Sequence, residues 1–582
     1  MFSNRTRCNP SNFAATMQRL KSLSDAKVLN SRKSEYTAYS QSLKQRYQLQ
    51  DIDSLLNEML DKQLFPNIVI INQLIKKLSR CGFEYVYDLH RIAVDKGIAT
   101  SITYSSTIDA IAKSVNPNAQ SAIRLLEEAK KAGFANKYTY ANTIATIAKS
   151  KNPNANDAIR LLEEAKKLGI ANAITYNNTI VAIAKSVNPN ANDAIRLLEE
   201  AKKLDIANAI TYNSTLDAIA KSVNPNVHDA IRLLEETKTG FADAFTYNST
   251  IDAIAKSVNP NANDAIRLLE EAKQAGFANK YIYASTIDVI AKSANPNAHD
   301  AIRFLEEAKN AGFADEYTYN STIDAIAKSA NPNADEAIRL LEEAKVAGFT
   351  DQYTYNNTID AIAKSVNPNA HDAIRLLEEA KVAGIANAIT YKSTLDAIAK
   401  NANPNVNDAI RLLEEVKENG LFDLPTMTSG DVVDLHGLSF GSTYFWMKKE
   451  IGELLLNSTD IVSITFIYGK GSNSKTNEET HPVKQAVLKI VKDMRNDIND
   501  YHEIEGNAGR YHINFQRKKL QDELHKQVDN PGITLKQIDK KINYSQKLFT
   551  QHAVYQTGYS DLIGNSTLNP KAKPFTPQNR NY

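Results

Sequence analysis

The stretch that decides the fold runs from residue 318 to residue 349 and reads TYNSTIDAIAKSANPNADEAIRLLEEAKVAGF. Its tyrosine belongs to a series spaced 36 residues apart, with one interval of 35: Tyr104, Tyr140, Tyr176, Tyr212, Tyr247, Tyr283, Tyr319, Tyr355 and Tyr391. Self-similarity at such a period is typical of a stack of repeated supersecondary units. The architecture therefore follows from the repeat before any other feature is considered.

Each copy of this phrase predicts two helices. The apolar residues between Tyr319 and Ala327 recur at helical spacing on one face. Pro332, between two asparagines, ends that helix because proline cannot continue the backbone ladder. A second apolar face runs over 337–344, and Gly348 follows as a stop signal. Neither helix can bury its stripe alone, so we expect neighbouring pairs to stack into a solenoid.

The sequence thus predicts a mostly α fold, an α-solenoid of helix–turn–helix repeats followed by a small two-layer α/β domain. The predicted order is a basic N-terminal segment (1–34, with a helix over 14–29), degenerate repeats (35–100, units 35–65 and 67–100), nine regular repeats (101–424), the α/β domain (431–515) and a basic, partly disordered tail (516–582).

Composition narrows the class of protein. The chain has 23% charged residues and a mean hydropathy of −0.40, and it lacks the run of ~18 apolar residues that spans a bilayer, so no membrane partner is expected. Cys8 and Cys81 lie far apart, which argues against a disulfide framework or structural zinc and favours a cytoplasmic location. The basic, acid-poor residues 1–34 leave a mitochondrial or other organellar transit peptide as the alternative.

Three phrases carry a resemblance to a known family. Tyr-Asn-x-x-Ile-Asp in the first helix, Ala-Ile-x-Leu-Leu-Glu-Glu in the second and Gly-Ile/Phe after it resemble the pentatricopeptide repeat (PPR) family over residues 35–424. The protein-binding tetratricopeptide repeat would show a Trp/Leu-Gly/Tyr pattern and a closing proline, which are missing. The PPR resemblance implies single-stranded RNA as the partner, one base per repeat. A non-enzymatic scaffold for protein–protein interaction is the alternative; no particular protein partner is indicated.

In the PPR family the residue after the tyrosine and the residue four before the next tyrosine read one base edge. The pairs at these positions are Ser105/Asn136, Asn177/Asn208, Asn213/Asp243, Asn248/Asn279, Asn320/Asp351 and Asn356/Asn387. The family code assigns U to Asn/Asp, a pyrimidine leaning to C to Asn/Asn, and A to Ser/Asn; Ala141, Ala284 and Lys392 have no reading. The resemblance therefore implies a pyrimidine-rich strand, 5′ A-x-Y-U-Y-x-U-Y-x. Helix capping is the other interpretation of an asparagine here.

Two further rows accompany these pairs. The family sandwiches bases with the residue two before the tyrosine, here Tyr138, Phe245, Tyr281, Tyr317 and Tyr353, with isoleucines at 102, 174, 210 and 389. The alternative for this row is packing at the helix start. A lysine nine residues after each tyrosine suits a phosphate backbone: Lys113, Lys149, Lys185, Lys221, Lys256, Lys292, Lys328, Lys364 and Lys400. The alternative is a solvated lysine favoured by the helix dipole.

After Gly430 the pattern changes to strand–helix–strand–helix–strand. The predicted elements are a strand over 431–438, a helix over 442–456, a strand over 461–468, a helix over 482–498 and a strand over 509–515. This order predicts a small α/β domain with parallel strand pairing.

Three motifs of this region, Asp434-Leu435-His436-Gly437, Gly469-Lys470-Gly471 and Asn507-Ala508-Gly509-Arg510, resemble the small MutS-related (Smr) domain. The resemblance implies nucleic-acid binding and, as in several members, endonuclease activity. Asp434 and His436 share one side of a strand end, where His436 can transfer protons while Asp434 orients it.

The second motif predicts a phosphate-binding loop of Gly469, Lys470, Gly471 and Ser474, because glycines let backbone amides approach phosphate and the lysine supplies charge. Asn473 stands where the family has a histidine. Cleavage then depends on His436 alone or with His481 compensating, and a divalent metal for cleavage stays open as the cofactor. The alternative is an RNA-binding or protecting factor with an inactive Smr domain.

Overall fold

The computed structural model describes residues 10–22, 32–45, 49–79, 83–457, 461–468, 481–504 and 509–515. The loop residues Gly469, Lys470, Gly471, Asn473 and Ser474, and the tail 516–582, lie outside the described residues. Two compact units are present, Met1–Ala361 and Ile362–Tyr582, called here the N-terminal and C-terminal units and described separately.

The N-terminal unit opens with five helices: α1 (Pro10–Ser22), α2 (Lys33–Gln45), α3 (Leu49–Asp61), α4 (Ile68–Leu78) and α5 (Phe83–Asp95). Helices α2 to α5 form two pairs where the degenerate units are predicted. Helix α1 begins four residues before the predicted start at Ala14, because a proline such as Pro10 is well suited to the first helical turn. It packs against α3 and α5, so the N-terminal segment closes one end of the repeat core.

Nine regular helix pairs follow. The first helices of the pairs are α6 (Ser101–Ala112), α8 (Lys137–Lys149), α10 (Ala173–Ala184), α12 (Ala209–Lys221), α14 (Ala244–Lys256), α16 (Lys280–Lys292), α18 (Glu316–Lys328), α20 (Gln352–Lys364) and α22 (Ala388–Lys400). The second helices are α7 (Ala119–Lys131), α9 (Ala155–Lys167), α11 (Ala191–Lys203), α13 (Val227–Thr237), α15 (Ala262–Gln274), α17 (Ala298–Asn310), α19 (Ala334–Ala347), α21 (Ala370–Val382) and α23 (Val406–Glu418).

Local sequence sets the helix ends. Asn333, after the proline, caps the second helix by accepting a hydrogen bond from the Glu336 amide at 3.2 Å. Gly348 ends that helix with a left-handed φ of 73°, which glycine adopts without steric penalty. The 35-residue interval shortens α13 to 11 residues, where most of its counterparts have 13. The deletion is therefore absorbed at a helix end.

The core forms between neighbouring pairs. Tyr319 is almost fully buried, and Leu340 and Leu341 are completely so. In the N-terminal unit each first helix from α6 to α16 packs against the next first helix, and each from α6 to α18 packs against the second helices beside it. The predicted α-solenoid is confirmed.

A ladder of ion pairs joins consecutive second helices. Glu200 accepts from Lys166 of the preceding repeat at 2.7 Å, from Arg196 at 2.7 Å and from the Tyr176 hydroxyl at 3.3 Å. The same inter-repeat pair recurs as Lys130–Glu164, Lys202–Glu236, Lys238–Glu271, Lys273–Glu307, Lys309–Glu343 and Lys381–Glu415. Repeats are thus joined by charge as well as by apolar packing.

Besides the repeat helices α21 to α23, the described part of the C-terminal unit contains an α/β domain with a four-stranded sheet and two helices. Its elements are β1 (Val432–Asp434), α24 (Phe440–Asn457), β2 (Val462–Ile467), α25 (Pro482–Asp493), β3 (Ile498–Glu503) and β4 (Arg510–Phe515). The strand order is β1-β2-β4-β3. Helices α24 and α25 pack together, and Trp446, Phe466 and Phe515 lie in the core they share with the sheet.

The prediction of parallel pairing throughout is wrong. Of the described strands, only β1 and β2 run parallel, whereas β4 is antiparallel to both β2 and β3. The predicted helix 482–498 ends at Asp493, and β3 follows after a 3-10 turn over Arg495–Asp497. Strand β3 lies at the sheet edge and is mostly exposed, so it lacks the apolar alternation that identifies a strand.

None of the helices in the described part of the chain is both long and apolar enough to cross a membrane.

Candidate nucleic-acid interface

The residue four before each repeated tyrosine is the N-cap of a first helix. Asn136 accepts hydrogen bonds from the amides of Tyr138 at 2.9 Å and Thr139 at 3.2 Å. Asp243 does the same for Thr246 at 2.9 Å. The capping interpretation therefore holds for this row, and capping fixes each side chain at the helix entrance.

Asn279 and Asn387, both expected to read bases, are caps of the same kind. Oδ1 of Asn279 accepts from the amides of Tyr281 at 2.9 Å and Ile282 at 3.1 Å. Oδ1 of Asn387, in the C-terminal unit, accepts from the Ile389 amide at 2.9 Å. Both side chains thus cap the chain's own helices, and their role in reading bases stays a prediction.

Two of the predicted reading rows meet across consecutive repeats. The amide Nδ2 of Asn177 donates to Oδ1 of Asn208 at 3.2 Å. Asn213 donates in the same way to Asp243 at 3.1 Å, and Asn320 to Asp351 at 3.1 Å. The residues that the PPR resemblance pairs for one base are thus hydrogen-bonded neighbours in these three repeats.

The pair Asn248/Asn279 departs from this geometry. Within the described residues no hydrogen bond joins the two side chains, and Oδ1 of Asn248 instead accepts from the Ser285 hydroxyl at 3.4 Å. Ser285 also donates to Asp252 at 3.0 Å. Asn248 is thus hydrogen-bonded to a serine of the next first helix and not to Asn279. The two reading positions are therefore not hydrogen-bonded to each other in every repeat.

The side chain that faces the asparagine after each tyrosine decides which of the two polar atoms of that asparagine stays without a partner. A carboxylate only accepts, so it fixes the asparagine amide with Nδ2 toward it. The Oδ1 atoms of Asn213 and Asn320 are buried and have no hydrogen-bond partner within the described residues. Oδ1 of Asn177, which faces an asparagine instead, accepts from the Thr211 hydroxyl at 2.7 Å.

The residues two before the repeated tyrosine form an exposed apolar row. Tyr138, Tyr281 and Tyr353 expose 57–60% of their surface, and Phe245 and Tyr317 expose 46% and 50%. The isoleucines of the row, Ile102, Ile174, Ile210 and Ile389, are similarly exposed. Packing at the helix start does not bury these side chains, and Lys137 and Lys280 lie over the rings of Tyr138 and Tyr281.

Members of the stacking row and of both reading rows line one cleft of the N-terminal unit. This cleft, of about 740 Å³, is lined by Tyr317 and Tyr353, by Asn320 and Asp351, and by the acidic residue Asp324. Burial, followed by the charge of Asp288, raises the pKa of the Tyr317 hydroxyl. Two aromatic side chains and a reading pair from adjacent repeats therefore surround the same space.

The lysine row is exposed, but most of it is paired with aspartates that the sequence analysis missed. Lys328 contacts Asp324, four residues earlier, at 2.6 Å. The same pairing joins Lys113–Asp109, Lys221–Asp217, Lys256–Asp252 and Lys292–Asp288. The i, i+4 spacing of Asp and Lys was the available signal.

Lys149 and Lys185 differ from this pattern, because Ala145 and Val181 replace the aspartate. The side chains best placed to meet a phosphate without losing an ion pair are therefore those of the second and third regular repeats.

Lys392, at the reading position of the last repeat, is used inside the C-terminal unit. Its Nζ donates to the Gly437 carbonyl at 2.6 Å and lies 4.6 Å from the centre of the Phe422 ring. Burial lowers the pKa of this lysine. Asp396, on the same helix, accepts from the Ser439 hydroxyl and the Gly441 amide, both at 2.6 Å. The last first helix thus anchors the α/β domain.

Gly441 makes that contact close. A Cβ atom at this position would collide with the backbone carbonyl of Leu395, so the position admits no larger residue. The start of α24 therefore approaches α22 as only glycine allows.

Asp434 is the last residue of β1, and His436 follows two residues later. Their side chains are hydrogen-bonded through Oδ1 and Nδ1, and the His436 amide donates to the same oxygen at 2.9 Å. Both are exposed, His436 by 58% of its side chain, so His436 is not a buried structural histidine. The bonds from the His436 amide and ring hold the pKa of Asp434 below its ordinary value.

His436 lines a cleft of about 290 Å³ in the C-terminal unit. The other lining residues are Asp396, Gly437, Leu438, Ser439, Phe440, Tyr468, His481, Pro482 and Val483. His481, which the sequence could name only as a compensating histidine, therefore shares this cleft. Within the described residues, three or more His, Cys, Asp or Glu side chains nowhere cluster closely enough to hold a metal ion.

No protein-family model and no curated protein matches the chain. Among solved structures it is similar to the pentatricopeptide repeat protein PPR10 from maize, with 15% identity and a TM-score of 0.41 over 84% of this chain and 74% of that one. A second similar structure is PPR10 in complex with an 18-nt psaJ RNA element, with 18% identity and a TM-score of 0.31 over 83% of this chain and 72% of that one.

Proposed function

We propose that this chain binds single-stranded RNA with its repeats, one base per repeat, and that its C-terminal domain cleaves the bound strand as an Smr-type endonuclease. The observation that carries the binding proposal is the cleft in which Tyr317 and Tyr353 flank the Asn320–Asp351 pair. A base stacked between exposed aromatic rings gains ~1–3 kcal/mol. The paired polar side chains then face its edge.

The free atoms of each pair support a pyrimidine-rich target. With Asp as partner, the asparagine keeps a buried carbonyl oxygen that has no hydrogen-bond partner among the described residues, and this oxygen can accept from a base once the side chain turns toward the cleft. Uracil supplies a donor in its N3–H, whereas N3 of cytosine is an acceptor. Asn213 and Asn320 therefore favour U at the fourth and seventh positions of 5′ A-x-Y-U-Y-x-U-Y-x, in agreement with the code of the family that the repeats resemble.

Binding is tested with a labelled nine-nucleotide RNA of this sequence and a purine-rich RNA of equal length. We expect the pyrimidine-rich strand to bind at least tenfold more tightly. Equal affinity for both, or binding to neither, would contradict the proposal. Absence of binding, together with a purified protein partner held by the same exposed row, would establish the scaffold alternative.

The nuclease part is supported by the exposed Asp434–His436 pair at the rim of the 290 Å³ cleft. Incubation of the full chain with a longer RNA that contains the target should give discrete products. The Asp434→Ala and His436→Ala variants should bind equally well and cleave far less. If the wild-type chain leaves the RNA intact, the protein is a binding or protecting factor instead of a nuclease.

A further inference from the structure

His481 occupies a position that its side chain does not serve structurally. It is the N-cap of α25, yet it makes no capping hydrogen bond in the described structure. Caps are normally Ser, Thr, Asp or Asn, whose oxygen accepts from the helix amides. The Nδ1 atom of His481 is buried and lacks a partner among the described residues. Since buried polar atoms are normally paired, this imidazole is left with unused hydrogen-bonding capacity.

Three elements bring this ring to the cleft of His436. His481 begins α25, His436 follows β1, and Tyr468 follows β2; all three side chains line the same cavity. The ring centres of Tyr468 and His481 are 6.1 Å apart. The Tyr468 hydroxyl donates to Glu503, which also pairs with Lys484 at 3.3 Å. Hydrogen bonds and an ion pair among Tyr468, Glu503 and Lys484 therefore hold the Tyr468 ring beside His481.

The two histidines lie in opposite electrostatic environments. Burial, and then the nearby His436, lowers the pKa of His481 and favours its neutral form. His436 instead is hydrogen-bonded through its Nδ1 to the Asp434 carboxylate. The other charged groups that face the cleft are Asp396 and, behind Tyr468, Lys484 and Glu503. The two histidines of this cleft therefore differ in their hydrogen bonds: His436 is bound to a carboxylate, whereas Nδ1 of His481 has no partner among the described residues.

We propose that His481 and His436 act together as the general base and general acid of RNA cleavage, the first on the attacking ribose hydroxyl and the second on the leaving oxygen. This inference rests on the proposed binding of RNA and assigns a catalytic role to His481, which lies outside the three Smr-like motifs.

The step balances without a further reactant. His481 accepts the proton of a ribose 2′-hydroxyl while its oxygen forms a bond to the adjacent phosphorus. The bond from phosphorus to the 5′-oxygen breaks, and that oxygen takes a proton from His436. The products are a 2′,3′-cyclic phosphate and a 5′-hydroxyl, and a proton transfer between the histidines through solvent restores the starting state.

The test uses the full-length chain and an RNA that carries the nine-nucleotide target followed by a 3′ extension, with the product ends identified by mass spectrometry. We expect cyclic phosphate and 5′-hydroxyl ends, and no cut at a linkage whose 2′-hydroxyl is replaced by hydrogen. His481→Asn keeps a good capping residue but cannot transfer protons, and it should lower the cleavage rate by about 10²–10⁴-fold with unchanged RNA affinity.

His502→Asn is the matched control, because His502 is an exposed histidine on β3 that pairs with Asp500; it should cleave as the wild type does. The wild-type rate should be bell-shaped in pH, and the low-pH limb should disappear in the residual activity of His481→Asn. Unchanged cleavage by His481→Asn, products with a 5′-phosphate, or cutting at the 2′-deoxy linkage would each overturn the proposal.

Its failure is separable from failure of RNA binding. Tight binding of the target without cleavage by the wild type overturns the histidine pair and leaves the binding proposal intact. Loss of target binding in the gel shift, with or without cleavage, overturns the proposed function itself.

Discussion

Asn320 shows how one side chain can set the choice of base. Its Nδ2 is held by Asp351, so its Oδ1 is the atom that remains for a ligand. Replacing Asp351 by Asn removes this constraint, since either end of the Asn320 amide can then face its partner. We expect Asp351→Asn to lower the preference for U over C at the seventh position about tenfold, because an unpaired buried acceptor costs ~1–3 kcal/mol.

The measurement is a competition between RNAs that differ only at the seventh position. Selectivity at the fourth position, read by Asn213 and Asp243, is the internal control and should not change. The reciprocal variant Asn208→Asp should move the third position toward U. A seventh position that still prefers U in Asp351→Asn would show that the carboxylate does not orient the reading amide.

Asp205 is a local exception to the sequence that ends second helices. It has a left-handed φ of 52°, where equivalent positions such as Gly169 have glycine at 67°. A residue with a Cβ is strained in this region, by roughly 1 kcal/mol for a polar residue of this size. Asp205→Gly should therefore raise the free energy of unfolding by about that amount, measured by urea denaturation. Gly169→Asp should lower it; opposite signs would exclude backbone strain as the cause.

At this scale the repeat places the proposed reading and stacking residues at fixed offsets from the tyrosine, and their roles toward RNA stay predictions. The sequence could not predict which hydrogen bonds these side chains make. The contact between Asn213 and Asp243 joins residues 30 positions apart in the chain. The role of Lys392 depends on a carbonyl 45 positions away. Such contacts depend on tertiary distances that no local pattern encodes.

Helices of successive repeats are held together by the ladder of Glu, Lys and Arg. Burial alone would raise the pKa of Glu200, but Lys166 and Arg196 outweigh it and hold the pKa below its ordinary value of 4.5. A carboxyl whose pKa is depressed by folding stabilises the fold above its unfolded pKa, and the stabilisation disappears as pH falls through the folded value. The ladder should therefore weaken in acid below about pH 4.5.

Glu200→Gln tests this. At pH 7 the variant should lose about 1 kcal/mol of stability, as expected for a partly exposed ion-pair network. The difference in unfolding free energy between the variant and the wild type should shrink as the pH is lowered from 4.5 to 3. Urea denaturation at each pH measures this difference. Glu418→Gln, at the exposed end of α23, is the control and should change stability little. A pH-independent difference would indicate lost packing rather than lost charge.

Elements with strong periodicity were predicted well, and those defined by tertiary pairing were not. The regular helices follow the 3.6-residue apolar stripe, and their ends coincide with Asn caps and glycine stops. Strand β3 was missed, and only its first residue, Ile498, was placed in a helix, because Ile498–Glu503 is an exposed edge whose partner, β4, comes later in the chain. Sheet topology depends on such pairings, so the parallel arrangement was an error that the sequence alone could not reveal.

At the scale of the whole molecule, the solenoid was predictable because every repeat makes the same core contacts. The repeat pattern alone does not show the balance of charge along the first helices of the repeats. The sequence has nine lysines at this repeat position, but Asp324 and its equivalents place a carboxylate beside most of them. Burial and the neighbouring aspartates Asp360 and Asp288 raise the pKa of Asp324 despite the opposing effect of Lys328. The surface is therefore a row of ion pairs rather than a row of free cations.

This balance predicts the salt dependence of RNA binding. Nine free phosphate contacts would give a slope of log K against log salt near −6, at about −0.7 per contact on a single strand. A lysine that leaves an aspartate for a phosphate gains little, because the freed aspartate takes up a cation as the RNA releases one. Only Lys149 and Lys185 lack the aspartate, so we expect a slope of about −1.4.

Two double variants separate these contributions in affinities measured over a range of salt concentrations. Lys149→Ala/Lys185→Ala should flatten the slope almost to zero, whereas Lys292→Ala/Lys328→Ala should change it little because both lysines are paired. Asp288→Asn/Asp324→Asn should release two lysines and steepen the slope by about 1.4. A wild-type slope near −6 that is insensitive to the aspartates would show that the ion pairs open freely and that the full lysine row follows the phosphates.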